Sequence, residues 1–176
     1  MKKFFFLSIL LFFSNSTFAN EKIVYLDVNF VISQSEAGQY INNELQKINK
    51  KNLEEFKKIE TSIKSEEENL IKQKNIIKEE EFNKKANILR EKYKSYQELK
   101  NSKNNDLKKI RNDAGNEILK IINIILSKYS TENKISIIME KKNIIIGKTE
   151  LDISNNILNL LNEKIKKVEI KKWTIN

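Results

Sequence analysis

The side chains that most often carry enzyme chemistry are missing from this 176-residue sequence, which has no histidine and no cysteine. Imidazole and thiolate metal ligands are thereby removed, together with Ser–His and Cys–His nucleophile pairs. What remains is clustered charge. Glu66-Glu67-Glu68 and Glu79-Glu80-Glu81 could attract a hard cation, but consecutive helical residues diverge around the axis and form no looped cage. Both runs are read as solvated helix faces. Gly147-Lys148-Thr149 matches the end of a phosphate-binding loop, yet the full motif needs a second glycine where Lys142 stands and glycine-rich backbone to wrap phosphate. Here Gly147 is expected to end a strand and Lys148 to face solvent. No catalytic, metal or cofactor site is expected, and no nucleotide dependence.

Binding chemistry is better represented. Lysine and arginine total 33 against 24 acidic residues, a formal charge of +9 that falls to +7 without Lys2 and Lys3. Such an excess attracts acidic polypeptides or an anionic membrane surface. Lys72, Lys74, Lys78, Lys84, Lys85, Arg90 and Lys92 concentrate it midway along the chain and are the candidate contacts for a charged partner. A nucleic-acid partner is not expected, because no aromatic-interleaved basic strand, helix-turn-helix or zinc spacing is present.

The N-terminus fixes the compartment. Lys2 and Lys3 precede the apolar run Phe4 to Phe13, and Thr17-Phe18-Ala19 forms a small-x-small site. Residues 1–19 thus read as a secretory signal peptide, with the mature chain starting at Asn20. An anchor spanning a membrane would need about twenty apolar residues. Without cysteine, an exported chain must be stabilised by packing or assembly.

The elements that position the basic residues follow from punctuation and period. Proline is absent and glycine occurs only at positions 38, 115 and 147, so nothing interrupts the middle of the chain. From Phe82 a heptad seam runs through Ala86, Leu89, Tyr93, Tyr96, Leu107, Ile110, Ala114, Ile121 and Ile124, with Lys100, Lys103 and Glu117 out of pattern. Phe56, Ile59, Ile63, Leu70 and Ile77 form an upstream seam with Glu66 and Gln73 at core positions, while Ile41, Leu45 and Ile48 follow a shifted register. Folded antiparallel about a tip near Ile76 to Glu81, the two seams face each other in an arm of about 60 Å. Three short β-branched runs flank it: Ile23, Val24, Tyr25 and Leu26; Ile135 to Met139, including Ile137 and Ile138; and Ile144, Ile145 and Ile146. The last two are expected to pair as a hairpin, with Ile135, Ile137 and Met139 on one face and Ile138 on the other. Leu151-Asp152-Ile153-Ser154 starts a helix capped by Ser154, with an Ile153–Leu158 staple and a stripe of Ile157, Leu158, Leu161 and Ile165.

The expected fold is mainly α with a small β body, a long antiparallel helical hairpin arm projecting from a strand-built oligomerisation body. The body comprises 20–36 and 130–166, the arm 37–129, and 167–176 is a basic tail holding the single tryptophan, Trp173. A terminal helix covers one sheet face only, so the strand edges and second face are expected to close against other copies of the chain.

Ile23-Val24-Tyr25-Leu26-Asp27-Val28 followed by Ser33-Gln34-Ser35-Glu36-Ala37-Gly38 resembles the start of mature Skp/OmpH periplasmic chaperones, and Ile144-Ile145-Ile146-Gly147 with Leu151-Asp152-Ile153-Ser154 through Leu160-Leu161-Asn162 resembles their end. The resemblance implies a homotrimer in the periplasm whose arms enclose unfolded outer-membrane proteins. It implies an ATP-independent holdase and not an enzyme. The alternative is an exported coiled-coil structural adaptor that binds one folded partner without chaperone activity.

Overall fold

The computed structural model describes residues 21–169; the signal-peptide reading of residues 1–19 and the part of the tail with Trp173 lie outside the described residues. Strand β1, Lys22–Leu26, opens the described chain. Helix α1, Val28–Gln34, begins where the Asp27 carboxylate accepts a hydrogen bond from the Phe30 N–H at 2.8 Å. Ser35 ends α1 and starts α2, Glu36–Gln73. Its buried hydroxyl donates to the Ile32 carbonyl at 2.8 Å and accepts from the Gly38 N–H at 3.0 Å. Gly38 is required by this corner: a Cβ there would lie 1.8 Å from the Ile32 carbonyl oxygen.

After the turn at 74–78, helix α3 runs unbroken from Glu79 to Glu132, 54 residues, or about 80 Å. Glu79, Glu80 and Glu81 occupy its first turn, where carboxylates meet the positive end of the helix dipole. It stops at Asn133, and Lys134 follows with φ 52°, the left-handed geometry that terminates helices and favours glycine. The chain then enters strand β2, Ile135–Glu140.

β1 and β2 pair in parallel, so the whole arm is the crossover between neighbouring strands. An irregularity between Lys22 and Ile23 sets Lys22 opposite Ile135 but Ile23 opposite Ile137. The extra residue reverses the alternation expected for β2: Ile135 is buried with Ile138 partly covered, while Ile137 and Met139 are exposed. The expected third strand is also absent. Lys141–Asn143 is a short 3-10 turn, and Ile144 to Ile146 continue without sheet pairing, Ile145 at 98% and Ile146 at 90% exposure. A β-branched run without a partner edge in its own chain has propensity but no ladder to join.

Helix α4, Ser154–Lys164, lays Ile157 and Leu161 into the core, both at 0% exposure. Ser154 is its first residue and not its cap; the Ser154 N–H donates to Asp152 Oδ1 at 2.9 Å. The core gathers Val24, Leu26, Val31, Ile41, Ile110, Ile118, Ile122 and Ile153 around α4. Ile118 and Ile122, which the seam omits, are buried in the core; Ile121 packs against it partly buried, as expected, and Ile124 is exposed. A straight helix drifts about 20° per heptad, so the side of α3 that faces α2 in the arm is not the side that meets the body. The fold is thus mainly α, with a small β body and a long helical hairpin.

Candidate functional site

Two assemblies of side chains bear on function, one closing the body and one shaping the arm. In the body, the two ends of the chain interlock. The Asp27 N–H donates to Ser154 Oγ at 2.8 Å, the Glu36 N–H to Asn162 Oδ1 at 2.8 Å and the Ile153 N–H to the Tyr25 carbonyl at 2.9 Å. Ser154 Oγ itself donates to Asp152 Oδ1. Lys141 Nζ lies 2.7 Å from Asp152 Oδ2 and 5.9 Å from the Tyr25 ring centre. Burial opposes ionisation of Asp152, but hydrogen bonds from Lys141 and Ser154 prevail and hold its carboxyl below the usual range. The same carboxylate raises Lys141.

Gly147 belongs to this assembly. A Cβ there would stand 2.8 Å from Tyr25 Cε1, and the Tyr25 hydroxyl donates to the Lys148 carbonyl at 3.1 Å. The expectation that Gly147 ends a strand is replaced by close ring-to-backbone packing.

In the arm, α2 and α3 are registered by polar groups as much as by apolar ones. Lys92 pairs with Glu66, holding that carboxyl low. Lys85 donates to Gln73 Oε1 at 3.1 Å, and Lys103 approaches Glu55 at 4.0 Å. Glu66 and Gln73 therefore sit in the seam as sequence spacing predicts, satisfied from across the arm. Each exposed pair contributes only about 0–1 kcal/mol, so these contacts fix register more than stability. Tyr96, 4% exposed, packs edge-on to Phe56 with ring centres 6.0 Å apart. Its hydroxyl donates to Glu60, and that bond, with burial, pushes the phenol up to about 12. Tyr93 is not core as expected: it is 55% exposed.

Beyond Tyr96 the helices leave a groove of about 1000 Å³ between Ile59 and Ile63 of α2 and Ile88 and Leu99 of α3, with Lys84 and Lys92 on its walls. Of the candidate basic contacts, Lys72, Lys74, Lys78 and Lys84 are exposed. Lys85 and Lys92 are engaged between the helices, Lys85 also reaching Glu81 at 2.9 Å, and Arg90 donates to Asn87 at 2.6 Å. Beside these charges stand exposed apolar residues that charge alone does not reveal: Ile71, Ile76 and Ile88 at 62%, 80% and 50% exposure. Their signal was present, since all three fall outside the heptad frame. Ile23, Ile137, Met139, Ile145 and Ile146 form a second exposed apolar set in the body, whereas Val24, Tyr25, Leu26 and Ile135 are buried within the chain. Among the described residues no acidic cluster could hold a metal ion and no helix is long and apolar enough to cross a membrane.

The family model for outer membrane protein (OmpH-like) matches residues 22–161, spanning both interlocked ends and the arm between them. The chain belongs to the OmpH-like family. A crystal structure of a candidate outer membrane chaperone (OmpH-like) from Caulobacter crescentus shares this OmpH-like fold, with a TM-score of 0.76 at 15% identity over 85% of this chain and 88% of that one. No match is found among curated proteins. Within the matched span, the bonds from the Asp27 N–H to Ser154 Oγ and from the Ile153 N–H to the Tyr25 carbonyl tie one end of the body to the other.

Proposed function

We propose that this OmpH-like chain works in the periplasm as an ATP-independent holdase, binding unfolded outer-membrane proteins and keeping them from aggregating. The observation that carries this reading is the arm itself: two charge-rich helices that leave the core, expose Ile71, Ile76 and Ile88 beside Lys72, Lys74, Lys78 and Lys84, and leave an open apolar groove between them. Scattered apolar and cationic contacts suit acidic, partly apolar chains that must be held in many poses and released. Several arms around one client supply avidity without any tight single site.

The assembly that places several arms together is a homotrimer. Support comes from the apolar set at the β2 side of the body, Ile137, Met139, Ile145 and Ile146, and from a two-stranded sheet whose edge is the natural place for another copy to pair. Purified protein should suppress aggregation of several unrelated unfolded outer-membrane proteins in the absence of ATP. Binding to a single folded partner, with no effect on those aggregates, would establish the structural adaptor instead.

A further inference from the structure

Where the arm leaves the body, a further groove of about 610 Å³ runs between α2 and α3. Leu45, buried, and Leu107, partly buried against the core, form its floor. Along one wall α2 presents Asn42, Gln46 and Asn49; along the other α3 presents Lys108, Arg111 and Asn112. All six wall residues are exposed, and among the described residues none of their side chains has a hydrogen-bond or ion-pair partner. No carboxylate lines the groove. Of the acids on the same turns, Glu44 pairs with Lys47 at 2.6 Å, Asp106 buries one carboxylate oxygen and Asp113 lines a different groove.

The chemistry of the walls selects the occupant. A carboxamide both donates and accepts, so a row of them can pair with the N–H and C=O groups of a peptide backbone without reading its side chains. Asn42, Gln46 and Asn49 climb about 10 Å of helix, the length of about three extended residues. Opposite them, the Arg111 fork and the Lys108 ammonium match carboxylates. A sugar ring finds no aromatic face to stack against. We propose that this groove holds an extended acidic segment of an unfolded polypeptide, with the α2 carboxamides on its backbone and Lys108 and Arg111 on its carboxylates. The site rests on the holdase reading, to which it adds a place and a mode of recognition at the root of the arm. Because its walls belong to both helices, a bound segment ties α2 to α3 there.

Fluorescence anisotropy of a labelled, unstructured peptide of alternating aspartate and serine would test it on the whole protein, beside a second peptide with asparagine at every aspartate. The unaltered protein should bind the aspartate peptide more tightly. Lys108→Glu together with Arg111→Glu should weaken that binding severalfold and erase the preference. Gln46→Ala together with Asn49→Ala should weaken both peptides alike and keep the preference, with helicity unchanged in either double variant. Peptide binding that neither pair alters overturns the groove, as does an unaltered peptide affinity in a Lys108–Arg111 variant that no longer binds anionic phospholipid vesicles, which would assign the cations to a lipid headgroup. Suppression of aggregation by the same proteins reads the holdase role separately. Suppression with no effect of either pair on peptide binding removes the groove and leaves that role, whereas peptide binding weakened by both pairs without any suppression keeps the groove and removes the role.

Discussion

Single residues carry the geometry of the body, and two of them make quantitative predictions. Lys134 sits at φ 52° immediately after α3, a conformation that costs a residue with a Cβ about 1–2 kcal/mol. Replacing the exposed Lys134 with glycine should therefore raise stability by about 1 kcal/mol, read as a higher midpoint in urea at unchanged slope. Asp152 has the opposite role, because removing it leaves partners behind. Its depressed carboxyl stabilises the fold above the ordinary aspartate range, and that contribution is lost as pH falls through the lower folded value. Asp152→Asn should cost roughly 1–2 kcal/mol at neutral pH and leave a smaller loss of stability on acidification. Thermal melts of both proteins across the acidic range would test it; parallel curves would show that Lys141 and Ser154 do not depend on the charge.

The arm is the element on which function is proposed to rest, and its weak level can be named. Interhelical partners such as Glu55–Lys103 and Glu66–Lys92 set a register in which Asn52 falls opposite the stretch 103–106. Asn52 is 6% exposed in the seam, and Asp106 Oδ2 is buried without a hydrogen-bond partner. A seam level built from amide and carboxylate gains little from burial and costs desolvation, so local opening should concentrate there. Amide exchange should be faster at 49–52 and 103–106 than at 56–63 and 89–96; equal protection along the arm would contradict a hinge.

The same element shows what the sequence could and could not convey. Heptad spacing located both helices and placed Glu66 and Gln73 in the seam, because side-chain period is a local property. It misjudged Ile124 and Tyr93 and passed over Ile118 and Ile122, because which side of a long helix is covered depends on what packs against it. Ile144 to Ile146 failed as a strand for a related reason: composition reports propensity, and pairing needs an edge. Of the candidate contacts, the exposure of Lys72, Lys74, Lys78 and Lys84 follows from their charge alone, whereas the engagement of Lys85 and Lys92 required the opposing helix.

At the scale of the whole molecule, assembly and capture should separate. If copies join through the body, Ile145→Asp places a charge in the interface and should yield monomer or aggregate, which light scattering distinguishes from the unaltered oligomer; an unchanged oligomer would remove Ile145 from the interface. If clients are drawn by the charge of the arm, their affinity should fall as salt rises through the physiological range. Reversing Lys72, Lys74, Lys78 and Lys84 together should reproduce that loss, with each single change having little effect.

The parallel pairing of β1 with β2 also dictates an order of events. Their partner residues stand roughly 110 positions apart, so closing the sheet bears the entropy of a very long loop, while the arm can zip from its tip through contacts between residues far nearer in sequence. The hairpin should form early and convert that floppy loop into a rigid span whose two feet already lie side by side, and only then do the strands meet. β1, the earliest of the described elements in the chain, is thus among the last to find its neighbour. Shortening α2 and α3 by matched heptads should consequently leave the body's structure unaltered and change mainly how fast it closes.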